Sequence, residues 1–269
     1  MKTLSDLFEA ARTSPAPLPV ATSVFWVHHG TRLAGGEVTY LNRYVLVRVG
    51  PAFGACAFED GELDPAVCAE ASGLPLGELL AEDRPGPLRL AALDAHLAAA
   101  LPHHRDPRAE AVTLPEGTPE QRAVARDAAI AGLLPDPRGR RVGLIGVVDP
   151  LVAAIRERGG ECLPCDLNLR RTRWGDEVAA SMDGVLEEAD AVVATGMTLG
   201  NGSFDTILTR CRERGVPLVV YAQSGAAVAR ALLGEGVTAL SAEPFPFSQF
   251  SAVPTALYRY HADGAGAGQ

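Results

Sequence analysis

From Arg141 onward this sequence alternates short apolar runs with helical stretches, and that alternation leaves few folds open to it. Strands are predicted at Arg141–Val147, Glu161–Pro164, Ala191–Ala194, Pro217–Tyr221 and Val237–Ser241, with helices at 150–158, 178–188, 204–214 and 226–233 between them. Val142-Gly-Leu-Ile-Gly-Val-Val148 and Ala191-Val-Val-Ala194 are apolar without a two-residue period, as strands covered on both faces must be. Repeated βα units of this kind imply a parallel sheet. The fold class expected is α/β, a Rossmann-like parallel sheet domain preceded by a smaller α+β domain. Ligands of such sheets sit beyond the carboxyl ends of the strands. That rule selects the loops at 146–150, 165–176, 195–205 and 222–226.

The first half reads differently. Val24–Val27, Val38–Leu41, Tyr44–Val49 and Ala55–Phe58 are β-rich and separated by turn residues. Helices are expected at 1–12, 77–80 and 88–101, the last Ala-rich and ended by Pro102. Between Pro102 and Arg141 lies a stretch rich in Pro, Arg, Asp and Glu, with one helix at Pro119–Leu133 capped by Thr118. The division expected is an α+β domain over 1–110, a linker with a helix over 111–139, and a ligand-binding domain over 140–269. A chain of 269 residues, 47% hydrophobic and 21% charged, supports two globular domains.

Composition excludes several classes of function. A net charge of -9 gives no basic face for a phosphate backbone, so nucleic acid is not an expected partner. The N-terminus lacks the basic start and apolar run of a signal peptide, and no apolar stretch reaches the roughly 20 residues of a membrane span. A cytoplasmic protein acting on a small molecule is expected, and a homodimer is compatible with the sequence. The five scattered cysteines are expected to be reduced.

The most informative stretch is Ala194-Thr-Gly-Met-Thr-Leu-Gly-Asn-Gly-Ser-Phe-Asp205, where a buried strand enters a loop of Gly and hydroxyl residues and then opens a helix. Such a loop offers backbone N–H groups to a polar ligand. Thr195, Gly196, Thr198, Asn201 and Asp205 are its candidates, although Asn201 or Ser203 can equally serve only to cap the helix. Gly143-Leu-Ile-Gly146-Val-Val-Asp149-Pro150 lacks the G-x-G-x-x-G spacing of a redox dinucleotide site. Gly146 and Asp149 remain candidate contacts there, as does Ser224 in the fourth loop. Asp166 ends the second strand of the alternating half, where Rossmann sites place the acid that binds ribose hydroxyls. Cys162-Leu-Pro-Cys165 has C-x-x-C spacing without the second pair a zinc site requires. His28-His29 sits on a strand whose neighbours face opposite ways, so one metal rarely takes both. Arg170-Arg171-x-Arg173-Trp174 can clamp an anion or form a solvated loop. In the first domain, Tyr40-Leu-Asn-Arg-Tyr44 offers polar groups to an interdomain cleft, and Phe245-Pro-Phe-Ser-Gln-Phe250 can close over it.

Three blocks, Gly143–Pro150, Ala189–Thr198 and Asn201–Asp205, resemble the bacterial and archaeal family described as putative heavy-metal chelation domains, Rossmann-like proteins of largely unknown function. Gly73-Leu-Pro-Leu-Gly-Glu-Leu-Leu80 and Leu90–Ala95 resemble that family's companion domain, which has an enolase-N-terminal-like fold. The chain departs from the pattern in having Ala222-Gln223-Ser224-Gly225 where the family shows a Gly-Pro-Ser turn.

Two functions are expected. In the first, the crevice binds an adenosyl or nucleotide-like metabolite, with S-adenosylmethionine as substrate or cofactor, for non-redox lyase, cyclase or transferase chemistry. Asp149 and Asp166 then hold the cofactor, the Thr195–Asp205 loop positions its amino-acid portion, and Tyr40, Tyr44 and Asp205 are the candidate catalytic groups. In the second, which follows from the resemblance, a divalent metal or metal chelate is bound without catalysis through Cys165, Asp166, Asp205 and His28 or His29.

Overall fold

Two sheets organise the chain, which a computed structural model describes over residues 2–32 and 39–262. Helix α1 (Leu4–Arg12) is followed by a small antiparallel sheet of β1 (Ser23–Thr31), β2 (Tyr40–Val49) and β3 (Ala52–Ala57). Then come α2 (Val67–Ala71), α3 (Leu76–Leu79) and α4 (Gly86–Ala100). The strands expected at 38–41 and 44–49 are one: His29 pairs with Asn42 and His28 with Arg43, so the ladder runs straight through the polar residues between them. Val38 lies outside the described residues.

The segment read as a linker contributes to the second sheet. Its β4 (Glu110–Leu114) precedes α5 (Pro119–Ala131), which begins in a capping box of Thr118 and Gln121. The alternating half follows as β5 (Arg141–Ile145), α6 (Asp149–Glu157), β6 (Glu161–Cys165), α7 (Asp183–Glu188) and β7 (Ala191–Thr195). It continues with α8 (Met197–Gly200), α9 (Phe204–Arg214), β8 (Leu218–Ala222), α10 (Ala226–Ala231), β9 (Ala239–Ala242) and β10 (Thr255–His261). The seven-stranded sheet has the order β4-β10-β9-β8-β7-β5-β6, parallel from β6 to β9 and antiparallel at β10 and β4. The buried Arg122 fastens α5 to this sheet, donating to the Pro115 and Val253 carbonyls and to the Thr255 hydroxyl.

The helix expected at 178–188 begins only at Asp183. Ala179 N–H donates to the Pro164 carbonyl and its own carbonyl accepts from Asp166 N–H, which holds this stretch extended against β6. Counted from β5, the parallel strands follow the order 2-1-3-4-5, so the winding reverses between β5 and β7. A doubly wound sheet opens its ligand crevice at that reversal, beyond the strand ends.

The small sheet sits directly against the larger half. Helix α4 packs on β3 on one side and α10 on the other, and one apolar cluster runs from Leu7 through Leu93 to Phe204, Val228 and Tyr260. Among the described residues, no helix is long and apolar enough to cross a membrane.

Candidate functional site

The turn after β5 is built around Gly146, which has φ +87°, a region that side chains disfavour; a Cβ there would also strike the Thr195 side chain. Tyr221 on β8 donates its hydroxyl to the Gly146 carbonyl at 2.6 Å. Burial holds that phenol above its usual pKa, with a Thr195 hydrogen bond pulling the other way. Gly146, Thr195 and Tyr221 thus meet at the point where the winding reverses.

Asp166 stands at the end of the neighbouring strand, as expected, and its two oxygens are engaged by the protein itself. Oδ2 accepts from Val147 N–H at 3.0 Å, and Oδ1 from Asn168 and Leu169 N–H at 2.8 and 3.0 Å. Asp149 is the first residue of α6, where a carboxylate is favoured by the helix dipole, and it accepts from Arg173 N–H at 3.2 Å.

The loop after β7 is folded tightly on itself. The buried Thr198 hydroxyl donates to the Thr195 carbonyl at 2.6 Å. Gly196 lies so close to Ala222 and the Ser224 carbonyl that a Cβ would not fit, and Ser224 is itself buried. The Asn201 side chain accepts from the backbone N–H and hydroxyl of Ser203, at 3.1 and 2.7 Å. Asp205 is exposed in the first turn of α9 and makes no hydrogen bond or ion pair among the described residues. The structure therefore gathers Gly146, Asp149, Asp166 and Thr195 near one another, gives Gly196, Thr198 and Ser224 packing positions, and sets Asn201 and Asp205 on the surface.

The small sheet packs beside the loop after β8, where Gly225 N–H donates to the Ala55 carbonyl at 2.8 Å. Burial, then the negative charges of Asp149, Asp166 and Asp127, hold the Tyr40 phenol above its usual pKa, while Arg173 opposes them. The phenol thus lies within electrostatic reach of the β5 and β6 strand ends. Tyr44 is buried, and desolvation raises its pKa too; its hydroxyl lies 3.5 Å from Gln223 Oε1. Gln223 donates to Glu243 at 3.0 Å and to Gln249 at 2.7 Å, and the buried Glu243 also accepts from Ser248 N–H. The aromatic loop covers this group: Phe247 packs 5.1 Å from Tyr44, and Phe250 lies edge-on to His29 at 5.0 Å.

Sequence reasoning missed the contribution of α5. Arg126 holds the fully buried Asp127 carboxylate through Nε at 2.7 Å. Burial opposes the charge on Arg126, but Asp127 and then Glu243 outweigh it and keep the guanidinium protonated. Neighbouring Arg and Asp on a capped helix carry no spacing that marks them as a buried ion pair. Only the fold reveals them.

The residues proposed for metal do not converge. Burial raises the Cys162 and Cys165 thiols to about 12 and about 11, which disfavours the thiolate of either in the metal-free chain. Asp166 is taken up by backbone N–H groups, and His29 lies between Tyr44 and Phe250. Among the described residues, no group of three or more His, Cys, Asp or Glu side chains is placed to hold a metal ion. The arginine loop is braced internally: Arg170 donates to the Leu167 and Leu169 carbonyls, Arg171 to that of Gly175, and Arg173 stacks 4.4 Å over Trp174.

Residues 128–242 match the profile of DUF364, described as putative heavy-metal chelation, which bears out the resemblance of the C-terminal half. No curated protein matches the chain. Among solved structures it is similar to a DUF364 protein of unknown function from Desulfitobacterium hafniense, at 15% identity and TM-score 0.62, covering 95% of this chain and 97% of that one. It is also similar to a DUF364 protein of unknown function from Pyrococcus horikoshii, at 19% identity and TM-score 0.55, covering 89% and 86%. At these identities the likeness shows the fold.

Proposed function

We propose that this chain, with its DUF364 match over residues 128–242, binds an adenosyl or nucleotide-like metabolite in the crevice between the small sheet and the strand ends, with S-adenosylmethionine the first candidate. The chemistry that follows is non-redox, of the lyase, cyclase or transferase kind. The observation that carries this reading is the reversal of winding between β5 and β7, where Gly146 packs on Thr195 and takes the Tyr221 hydroxyl; Tyr40 of the small sheet is near enough for Asp149 and Asp166 to act on its phenol. Such a reversal is where doubly wound sheets take their ligands. Asp149 and Tyr40 are the ligand contacts; the Tyr40 phenol, held protonated, is the candidate general acid. Tyr44 is buried against Phe247 and supports the wall.

Titration calorimetry with S-adenosylmethionine is expected to give saturable binding at one site per chain. Tyr40→Phe or Asp149→Asn is expected to weaken it about tenfold, the value of one hydrogen bond to a charged partner, without lowering the melting temperature. Unchanged affinity in both variants contradicts the assignment of the crevice.

The family description favours a second reading, a metal bound as a chelate held by an organic ligand. The dispersal of His, Cys, Asp and Glu among the described residues argues against a bare ion, so the same crevice is the place for such a complex.

A further inference from the structure

In nucleotide-binding sheets, the turn after the first strand and the N-terminus of the helix that follows present free N–H groups to a phosphate. Here that turn is the one after β5, and the protein's own groups take up the donors of its first two residues. Gly146 N–H donates to the Cys165 carbonyl at 2.9 Å and Val147 N–H to Asp166 Oδ2 at 3.0 Å. The second carboxylate, Asp149, stands in the first turn of α6, where a phosphate would otherwise gain from the dipole. The turn after β7 is similar: Gly196 N–H donates to the Tyr221 carbonyl at 2.7 Å and Met197 N–H reaches Thr195 Oγ1 at 3.4 Å.

The charged side chains around these turns point the same way. Asp149 and Asp166 stand at the strand ends beside Arg173, while Asp127 is fully buried against Arg126 and the buried Glu243 accepts from Gln223 and Ser248. Arg126 is already paired with Asp127, and Arg173 is stacked over Trp174. A phosphate entering this crevice would meet carboxylates and donors already engaged. A cation would meet the Asp149 carboxylate, whose Oδ1 accepts from Arg173 N–H, and the phenol of Tyr40.

We infer that the crevice selects a cationic, phosphate-free ligand, the sulfonium form of an adenosyl compound over its neutral thioether and over any nucleotide phosphate. This selectivity rests on the proposed adenosyl site, and the comparison of ligands separates the two claims. Titration calorimetry of the full chain against S-adenosylmethionine, S-adenosylhomocysteine and ATP is expected to show S-adenosylmethionine at least tenfold tighter than the thioether, and ATP at least a hundredfold weaker. The ratio between sulfonium and thioether is expected to collapse several-fold in Asp149→Asn, a variant whose melting temperature reports that it is folded. Equal or tighter binding of ATP or of the thioether overturns the charge selectivity and leaves the adenosyl site standing. Absence of binding by all three overturns both.

Discussion

Gly54→Ala is expected to prevent the small sheet from docking and to leave little folded protein. Gly54 lies in β3, where α4 crosses directly over the strand: a Cβ there would stand 2.7 Å from the Ala95 Cα and closer still to the Ala95 nitrogen and the Ala91 carbonyl. Those are backbone atoms in the middle of a 15-residue helix, so no side chain can rotate out of the way. The helix must move away from the sheet, and with it the cluster that Leu90, Ala91 and Ala95 share with Val45 and Cys56. Overpacking usually costs about 1–3 kcal/mol when side chains can adjust, and a backbone clash exceeds that range. Urea unfolding checks this: a midpoint within experimental error of the wild type contradicts the packing described.

Asp94→Ala is expected to cost about 4 kcal/mol at pH 4.5. The buried Asp94 carboxyl on α4 joins the two halves: Oδ2 accepts from Ala55 N–H on β3 at 2.9 Å, and Oδ1 from Ala227 and Val228 N–H at the start of α10, at 2.7 and 3.2 Å. Truncation strands three buried donors, each worth roughly 1–3 kcal/mol when left unpaired. The pH dependence is unusual for an aspartate. Burial pushes its pKa up to about 6, outweighing the backbone N–H groups that favour the ion. The folded state therefore holds a proton that the unfolded chain releases near pH 4, and the contribution of this residue is full below that pH and shrinks as pH rises through about 6. A shift of this size corresponds to roughly 3 kcal/mol. The stability gap between wild type and Asp94→Ala, read from urea unfolding between pH 4 and 7.5, is expected to narrow as pH rises. A gap that widens contradicts the raised pKa.

The alternating half was legible because burial on both faces leaves a mark in composition: Val142–Val148 and Ala191–Ala194 can hardly be anything else. The other two strands of the large sheet left no such mark. In β4, Glu110, Ala111 and Thr113 are exposed at the sheet edge, and β10 mixes polar, apolar and aromatic residues without a two-residue period, so neither stood out from the surrounding loops. The strand-end rule put Gly146, Asp149, Asp166 and Thr195 at the strand ends, where the structure has them, because it depends on position along each unit. It could not tell that Asn201 and Asp205, a few residues further on, turn to the surface, since their Asx turn and helix start are compatible with either outcome. Arg126, Asp127, Gln223 and Glu243 come together from α5, β8 and β9 through long-range packing, which no local spacing records.

Hydrogen–deuterium exchange in the presence and absence of S-adenosylmethionine tests most directly where the ligand sits. Protection is expected in peptides covering Tyr40–Tyr44, Gly146–Asp149 and Thr195–Leu199. The contrasting place is a surface groove of about 370 Å³ lined by Glu62, Asp64, Glu70 and Arg84 on the first half. Protection confined to that groove, with the strand-end peptides exchanging as before, contradicts the crevice as the ligand site.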